Sequence, residues 1–190
     1  MAERTGTVQG ERGTTSLIEK VARRRVALGF VSAALALWLA RPTPSSLTAG
    51  ASVALVGELL RIWASGHLHK GSEVTASGPY RWFAHPLYVG SSILGAGFAI
   101  ASHSVLVAAL VALYLVVTLT AAVRTEEARL RGRFGDRYDK YRRGAGDAPS
   151  SARPFSMAQV LVNREHRAVA GVVLVWLLLL AKATYNGAFG

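Results

Sequence analysis

Cysteine is absent from this 190-residue chain, which excludes disulfides, thiolate metal ligands and a thiol nucleophile. Acidic residues are scarce: 11 Asp and Glu stand against 22 Lys and Arg, giving a formal net charge of +11. No Ser/His/Asp array is visible, and no βαβ pattern suggests a soluble dinucleotide site. What the chain has in quantity is apolar sequence, with 51% hydrophobic residues arranged in long runs. This composition predicts one helical membrane domain rather than a soluble protein.

The apolar runs predict an all-α integral membrane protein with about five transmembrane helices. The first run is short for a span of about 20 residues, but its flanking arginines can extend towards the interface, and the last run is short unless it continues past Lys182. Only three residues, 102–104, separate the third run from the fourth, so these two spans are expected to form an antiparallel helical hairpin. The predicted spans are residues 26–40, 47–64, 87–101, 105–123 and 168–181.

The distribution of positive charge predicts how the chain is oriented. Segments 1–25, 65–85 and 124–167 contain 19 of the 22 Lys and Arg residues. Five alternating spans with a cytoplasmic N-terminus place all three segments in the cytosol, in agreement with the positive-inside rule. We therefore expect a cytoplasmic segment 1–25 and a single membrane domain 26–190 in the cell inner membrane or an equivalent membrane. The net charge then reflects topology and lipid contact, which argues against nucleic-acid binding.

Three polar features inside or beside the spans need an explanation. Glu58 and Arg61 lie three residues apart in the second span, where they can form an ion pair or line a polar cavity. His67 and His69 lack a third ligand at a sensible spacing for a metal, so a solvated loop is expected there. Glu165, just before the last span, is expected to lie at the interface.

The stretch 77–97 is the most distinctive in the chain. Its polar, aromatic first part leads to His85 and to Pro86, a residue suited to the first position of a helix. The tight turn at 102–104 returns the fourth span to the same membrane face, so segment 124–141 is expected to lie beside segment 78–85. A helix N-terminus, a histidine and two adjacent carboxylates, Glu126 and Glu127, are thereby expected to meet.

The motifs in these segments occur in a recognisable order. G-P-Y-x-x-x-x-H-P-x-Y-x-G begins at Gly78, a G-x-G follows at Gly95, and E-E-x-x-L-x-x-x-F-G-x-x-Y-x-x-Y begins at Glu126. Together they resemble the isoprenylcysteine carboxyl methyltransferase family, whose wider group includes the membrane phospholipid N-methyltransferases. The resemblance covers roughly residues 60–141. No single motif would be specific, but the ordered set is.

The resemblance implies an integral-membrane enzyme that transfers a methyl group from S-adenosylmethionine (SAM) to a lipid-like or lipidated acceptor at the cytosolic face. Glu126, Arg124 and Arg137 would be catalytic, the arginines holding an anionic acceptor. The same resemblance assigns the cofactor contacts, through side chains or by close backbone approach, to His85, Tyr88, Gly95, Gly97, Glu126 and Glu127. No metal site is expected.

The chain departs from the family at Ala84, because the family often has R-H-P where this sequence has A-H-P. The acceptor is therefore open between an isoprenylcysteine-type carboxylate and a phospholipid headgroup amine. A carboxylate needs no general base, whereas an amine must be neutral and could use His85 or a glutamate as base. A different class of function is a non-catalytic membrane scaffold that keeps the fold without the chemistry.

Overall fold

The computed structural model describes residues 27, 29–69, 75, 77–136 and 154–188. Within these residues the chain forms α-helices joined by turns, together with one short 3-10 turn at Gly78–Arg81. The helices of the described residues are α1 (Gly29–Leu39), α2 (Pro44–His67), α3 (Pro86–Ser102), α4 (Val105–Phe134), α5 (Met157–Val162) and α6 (Glu165–Tyr185).

The predicted helical membrane fold is confirmed. Of the described helices, α2, α4 and α6 are long and apolar enough to cross a membrane. Helices α1 and α3 are apolar but shorter, and they lie where the first and third spans are predicted. Many of the large apolar side chains of α4 and α6 point outwards from the bundle, as expected for surfaces that contact lipid.

Helices α3 and α4 form the predicted hairpin. Helix α3 begins at Pro86 with His85 as its N-cap, and ends at Ser102 with His103 as its C-cap, which adopts a left-handed conformation with φ 47°. The Ser104 side chain then accepts a hydrogen bond from the Val107 N–H and so caps the start of α4. Because the turn is this short, the C-terminal half of α4 must run back along α3 towards His85.

Helix α4 is 30 residues long and continues well past the apolar part of its sequence. Its second half is rich in Ala, Leu, Glu and Arg, which are good helix formers. The helix ends only where Gly135 takes a φ of 52°, a conformation that glycine adopts without strain. The carboxylates of Glu126 and Glu127 are therefore carried on a helix rather than on a loop.

Glycines bring α2 and α3 into backbone contact. A Cβ atom on Gly50 would lie 2.5 Å from the carbonyl oxygen of Gly97, and one on Gly57 would lie 2.7 Å from that of Gly90. These two contacts are seven residues apart on each helix, so the helices pack antiparallel along one glycine-lined seam. Small residues allow such close approach where the hydrophobic effect does not drive association.

A short helix closes the end of α2. The backbone N–H of Ser156 donates to the carbonyl of Gly66, and the Asn163 side chain donates to the carbonyls of Ser65 and Leu68. Carbonyls at a helix C-terminus have no partner within the helix, so α5 and its flanking turns supply those partners. The α2 end is thereby fixed relative to the start of α6.

The prediction that His67 lies in a solvated loop is wrong. His67 is the last residue of α2 and is only 7% exposed, with the Ser77 hydroxyl 3.3 Å from its Nδ1. Gly78, with φ 59°, lies against the imidazole so closely that a Cβ there would be 2.3 Å from the ring. The histidine is a packing and hydrogen-bonding centre for the turn that leads to α3.

Candidate functional site

The start of α3 and the second half of α4 bring together four polar side chains. Nδ1 of His85 lies 3.9 Å from Oε2 of Glu126, and its Nε2 lies 3.6 Å from Oε1 of Glu127. The Tyr88 hydroxyl donates a 2.7 Å hydrogen bond to Oε2 of Glu126. The rings of His85 and Tyr88 are stacked, with centroids 5.5 Å apart. An imidazole therefore lies between two carboxylates, one on each side.

This arrangement follows from the local structure of both helices. His85 and Tyr88 are three positions apart at the start of α3, a spacing that places side chains on the same face. Helix α4 presents consecutive carboxylates, and the imidazole has two ring nitrogens through which it can face both. Arg131, one turn further along α4, lies 3.8 Å from Glu127 and partly balances the negative charge.

The site is partly buried, which strengthens its electrostatic interactions. The side chains of His85 and Glu127 are 17% and 12% exposed, and that of Glu126 is 35% exposed. Nε2 of His85 is buried and has no hydrogen-bond partner among the described residues, since Glu127 is just beyond bonding distance. A buried polar atom without a partner favours a ligand that completes its bonding.

The side chains of this cluster are of types that suit S-adenosylmethionine, the cofactor that the family resemblance implies. The cofactor carries a sulfonium, an ammonium and two ribose hydroxyls, and all of these groups are favoured by nearby carboxylates. Glu126 and Glu127 provide such carboxylates, and His85 adds a buried ring nitrogen with no partner among the described residues. Among those described residues, no group of three or more His, Asp or Glu side chains could hold a metal ion.

Four predicted site residues, Arg124, Arg137, Gly95 and Gly97, are not among the four side chains of this cluster. Arg124 is on α4 and is exposed, while Arg137 lies outside the described residues. A Cβ on Gly95 would meet the Leu115 side chain of α4, and one on Gly97 would meet the backbone of α2, so both glycines serve helix packing. Their role in cofactor binding stays a prediction from the family resemblance, as do the roles of the two arginines.

A second polar cluster, formed by Glu58, Arg61, Ser91 and Glu165, lies about one turn of α3 away from the first. The sequence predicted only its Glu58–Arg61 pair. The expected ion pair between Glu58 and Arg61 is present, with 3.6 Å between Oε2 and Nε. Arg61 also bonds to Ser91 of α3, and its Nη2 lies 2.5 Å from Oε1 of Glu165 at the start of α6. Glu165 is 6% exposed and therefore packs against the other helices, while its expected position at the membrane interface stays a prediction.

Sequence reasoning missed this contact because 104 residues separate Arg61 from Glu165. The sequence did contain one indication of a further contact, because Arg61 has more hydrogen-bond donors than Glu58 alone can satisfy. A buried arginine with one glutamate still needs partners for its remaining donors, and Glu165 is an acidic residue at the same end of a later span. The cluster connects α2, α3 and α6 beneath the candidate site.

Three comparisons with known proteins place this chain among its relatives. The family profile described as phospholipid methyltransferase matches residues 25–137. The chain is 31% identical over 96 residues to a nickel-cobalt-cadmium resistance protein, NccN, of Alcaligenes xylosoxydans xylosoxydans. That match covers 50% of this chain and 43% of the relative, so the chain spans less than half the relative's length. No solved structure gives a significant match.

Proposed function

Because the chain belongs to the phospholipid methyltransferase family, within the isoprenylcysteine carboxyl methyltransferase-like group, we propose that it is a SAM-dependent methyltransferase of membranes. The acceptor is a lipophilic molecule, and an isoprenylcysteine-type carboxylate is the first choice. One observation carries the proposal: His85 and Tyr88 meet Glu126 and Glu127 across the α3–α4 hairpin. Both halves of that cluster lie inside the matched residues 25–137.

When bound, SAM supplies an electrophilic methyl group, so that the acceptor oxygen bonds to the methyl carbon while the carbon–sulfur bond breaks and leaves its electron pair on sulfur. The residues of the chain bind and align. Glu126 and Glu127 accept hydrogen bonds from cationic and hydroxyl groups, and Tyr88 holds the Glu126 carboxylate in place. Correct alignment of the two reactants is worth several kcal/mol of the barrier.

We favour a carboxylate acceptor over an amine on the chemistry of the reaction. A carboxylate releases no proton when it is methylated, so the chain needs no general base. Both ring nitrogens of His85 lie near carboxylates, at 3.9 and 3.6 Å, and we assign the imidazole to ligand binding rather than to proton removal. A phospholipid headgroup amine would need this histidine or a glutamate to remove its proton, and it remains the second candidate acceptor.

Exposed aromatic side chains near the site support an acceptor that arrives from the bilayer. The rings of Trp63 and Trp82 are 5.6 Å apart, and their residues are 37% and 69% exposed. Phe83, which lies between Trp82 and His85 in the sequence, is 43% exposed. Tryptophan is enriched at membrane–water interfaces. We place this end of the bundle at the cytosolic interface, following the charge distribution of the sequence.

The first experiment measures ligand binding and methyl transfer separately. Purified protein in detergent is titrated with SAM and with its demethylated product, and thermal stabilisation is followed. Radiolabelled methyl incorporation is then measured with a prenylcysteine analogue and with phosphatidylethanolamine. We expect stabilisation by both cofactor forms and incorporation into the prenylcysteine analogue. Binding without transfer to either acceptor would favour the non-catalytic alternative, and no stabilisation by either ligand would contradict a cofactor site.

The second experiment tests the site. Glu126→Gln keeps the size of the side chain but removes its charge, and is expected to lower turnover about 100-fold or more. Asp136→Asn is the matched control, because Asp136 is an exposed carboxylate ten residues further along. Full activity of Glu126→Gln, or an equal loss in both variants, would remove Glu126 from the site.

A further inference from the structure

A cavity of about 790 Å³ lies at the opposite end of the bundle from the candidate site. It is formed by the end of α1, the turn into α2 and the end of α6, with Arg41, Thr43, Lys182 and Asn186 as its polar lining. Helix α3 separates the two places. Its C-terminal residue Ser102 accepts a hydrogen bond from the Arg41 N–H, whereas its N-cap lies in the candidate site. The distance between them is about 25 Å, the length of a 17-residue helix.

The two cations of this cavity have no acidic partner among the described residues. Among the 22 Lys and Arg residues, only Arg41, Arg61 and Lys182 lie outside segments 1–25, 65–85 and 124–167. Arg61 is neutralised by the carboxylates of the buried polar cluster. The other two cations are 141 positions apart in the chain, yet they line the same cavity. The described residues that line the cavity include no Asp or Glu, so its charge is positive.

The backbone that forms the cavity is held in place by core packing and by hydrogen bonds. Its floor includes Ala40, which is 1% exposed and belongs to the core cluster shared by α1, α2, α3 and α6. The Thr43 and Ser46 side chains cap the start of α2 reciprocally, which holds the turn. The N-terminus of α2, which carries a partial positive charge, and the C-terminus of α6, which carries a partial negative charge, both lie at this cavity. Their effects oppose each other, so the cationic side chains decide the sign of the electrostatic potential.

The surroundings indicate a lipid rather than a soluble anion. Helices α2 and α6 are both able to cross a membrane, and the cavity lies at their ends, where a bilayer meets water. Trp38, part of its lining, is 74% exposed, and Tyr185 beside Lys182 is 86% exposed. The α1 wall is apolar and offers contact to acyl chains, which a free anion would not use.

We propose that this cavity binds the headgroup of an anionic phospholipid. Arg41 can form two parallel hydrogen bonds with a phosphate, and Lys182 contributes a point charge. Thr43 and Asn186 line the same cavity and can bond to headgroup hydroxyls. The site is separate from methyl transfer, and its occupant is a resident lipid of the membrane face opposite the candidate site.

Native mass spectrometry of the full-length protein tests this binding without any methyl donor. Short-chain phosphatidylglycerol, short-chain phosphatidylcholine and inorganic phosphate are titrated separately. Wild-type protein is expected to bind phosphatidylglycerol preferentially. Arg41→Gln/Lys182→Gln is expected to weaken that binding about 30-fold and to weaken phosphatidylcholine binding much less, because the choline cation offsets the charge of its phosphate. Arg164→Asn/Arg167→Gln is the matched control, because it removes two exposed cations from the other end of α6. Asparagine is chosen at 164 because φ is 62° there.

Each outcome decides the proposal. Preference for phosphatidylglycerol that is lost in the first double variant and kept in the control supports the lipid site. Equal binding of the two lipids by wild-type protein, or an equal loss in both double variants, overturns it. Competition by millimolar phosphate as strong as that by the lipid overturns the lipid assignment. If the first double variant does not fold, Lys182→Gln alone must weaken binding about fivefold, and unchanged binding overturns the proposal.

Discussion

The glycine seam between α2 and α3 allows a quantitative test of how the bundle is held together. A methyl group at Gly57 would lie 2.5 Å from the backbone nitrogen of Leu94 and 2.7 Å from the carbonyl oxygen of Gly90. Both are helix backbone atoms, so neither can rotate away as a flexible side chain could. Ordinary contact begins near 3.4 Å, and the helices must therefore separate by roughly 1 Å in Gly57→Ala.

Overpacking of this kind costs about 1–3 kcal/mol, and the better helix propensity of alanine returns about 0.5–1 kcal/mol. Taken from the middle of both ranges, the net loss for Gly57→Ala is about 1–2 kcal/mol. For a protein of this size, that loss corresponds to a fall in Tm of about 2–8 °C. The assay is thermal unfolding of the detergent-solubilised protein, followed by tryptophan fluorescence.

Gly171→Ala is the matched control for this experiment. Gly171 lies within α6, and a Cβ there would have no atom within 4 Å among the described neighbours. This variant is expected to match or slightly exceed wild-type stability, because only the propensity term changes. If Gly57→Ala proves as stable as Gly171→Ala, the close contact of α2 with α3 does not exist as described.

Three further predictions concern single side chains. Arg61→Gln leaves two buried carboxylates without their cation and is expected to cost about 3–5 kcal/mol of stability, measured by thermal unfolding; a near-neutral effect would contradict the buried cluster. Tyr88→Phe removes the 2.7 Å bond to Glu126 and is expected to weaken SAM binding about fivefold, measured by calorimetry, with unchanged affinity as the contrary result. Gly78→Ala places a side chain at φ 59° against the His67 ring and is expected to lower Tm by several degrees; no change in Tm would show that the turn has room.

Much of the candidate site could be predicted before the tertiary structure, and the reason is local. Proline at the first position of a helix sets where α3 begins, and a three-residue turn forces α4 to return alongside it. These two constraints are enough to place Glu126 beside His85, whatever the other helices do. The family membership expected from the ordered motifs is confirmed by the match over residues 25–137.

The tertiary structure alone decided which face of each helix meets which neighbour. A helix turns by about 100° per residue, so Gly95 and Gly97 point to different partners although only one residue separates them. The first packs against α4 and the second against α2, a difference that no composition rule reveals.

The contacts between distant segments were likewise decided by the tertiary structure. Apolar length and the distribution of charge determine that the chain is a helical membrane protein, because burial in a bilayer acts on each span separately. The pairing of Arg61 with Glu165, and the meeting of Arg41 with Lys182 in one cavity, depend on how α6 docks on the other helices. How α6 docks depends on all the helices packed together, so the sequence of any one span does not reveal it.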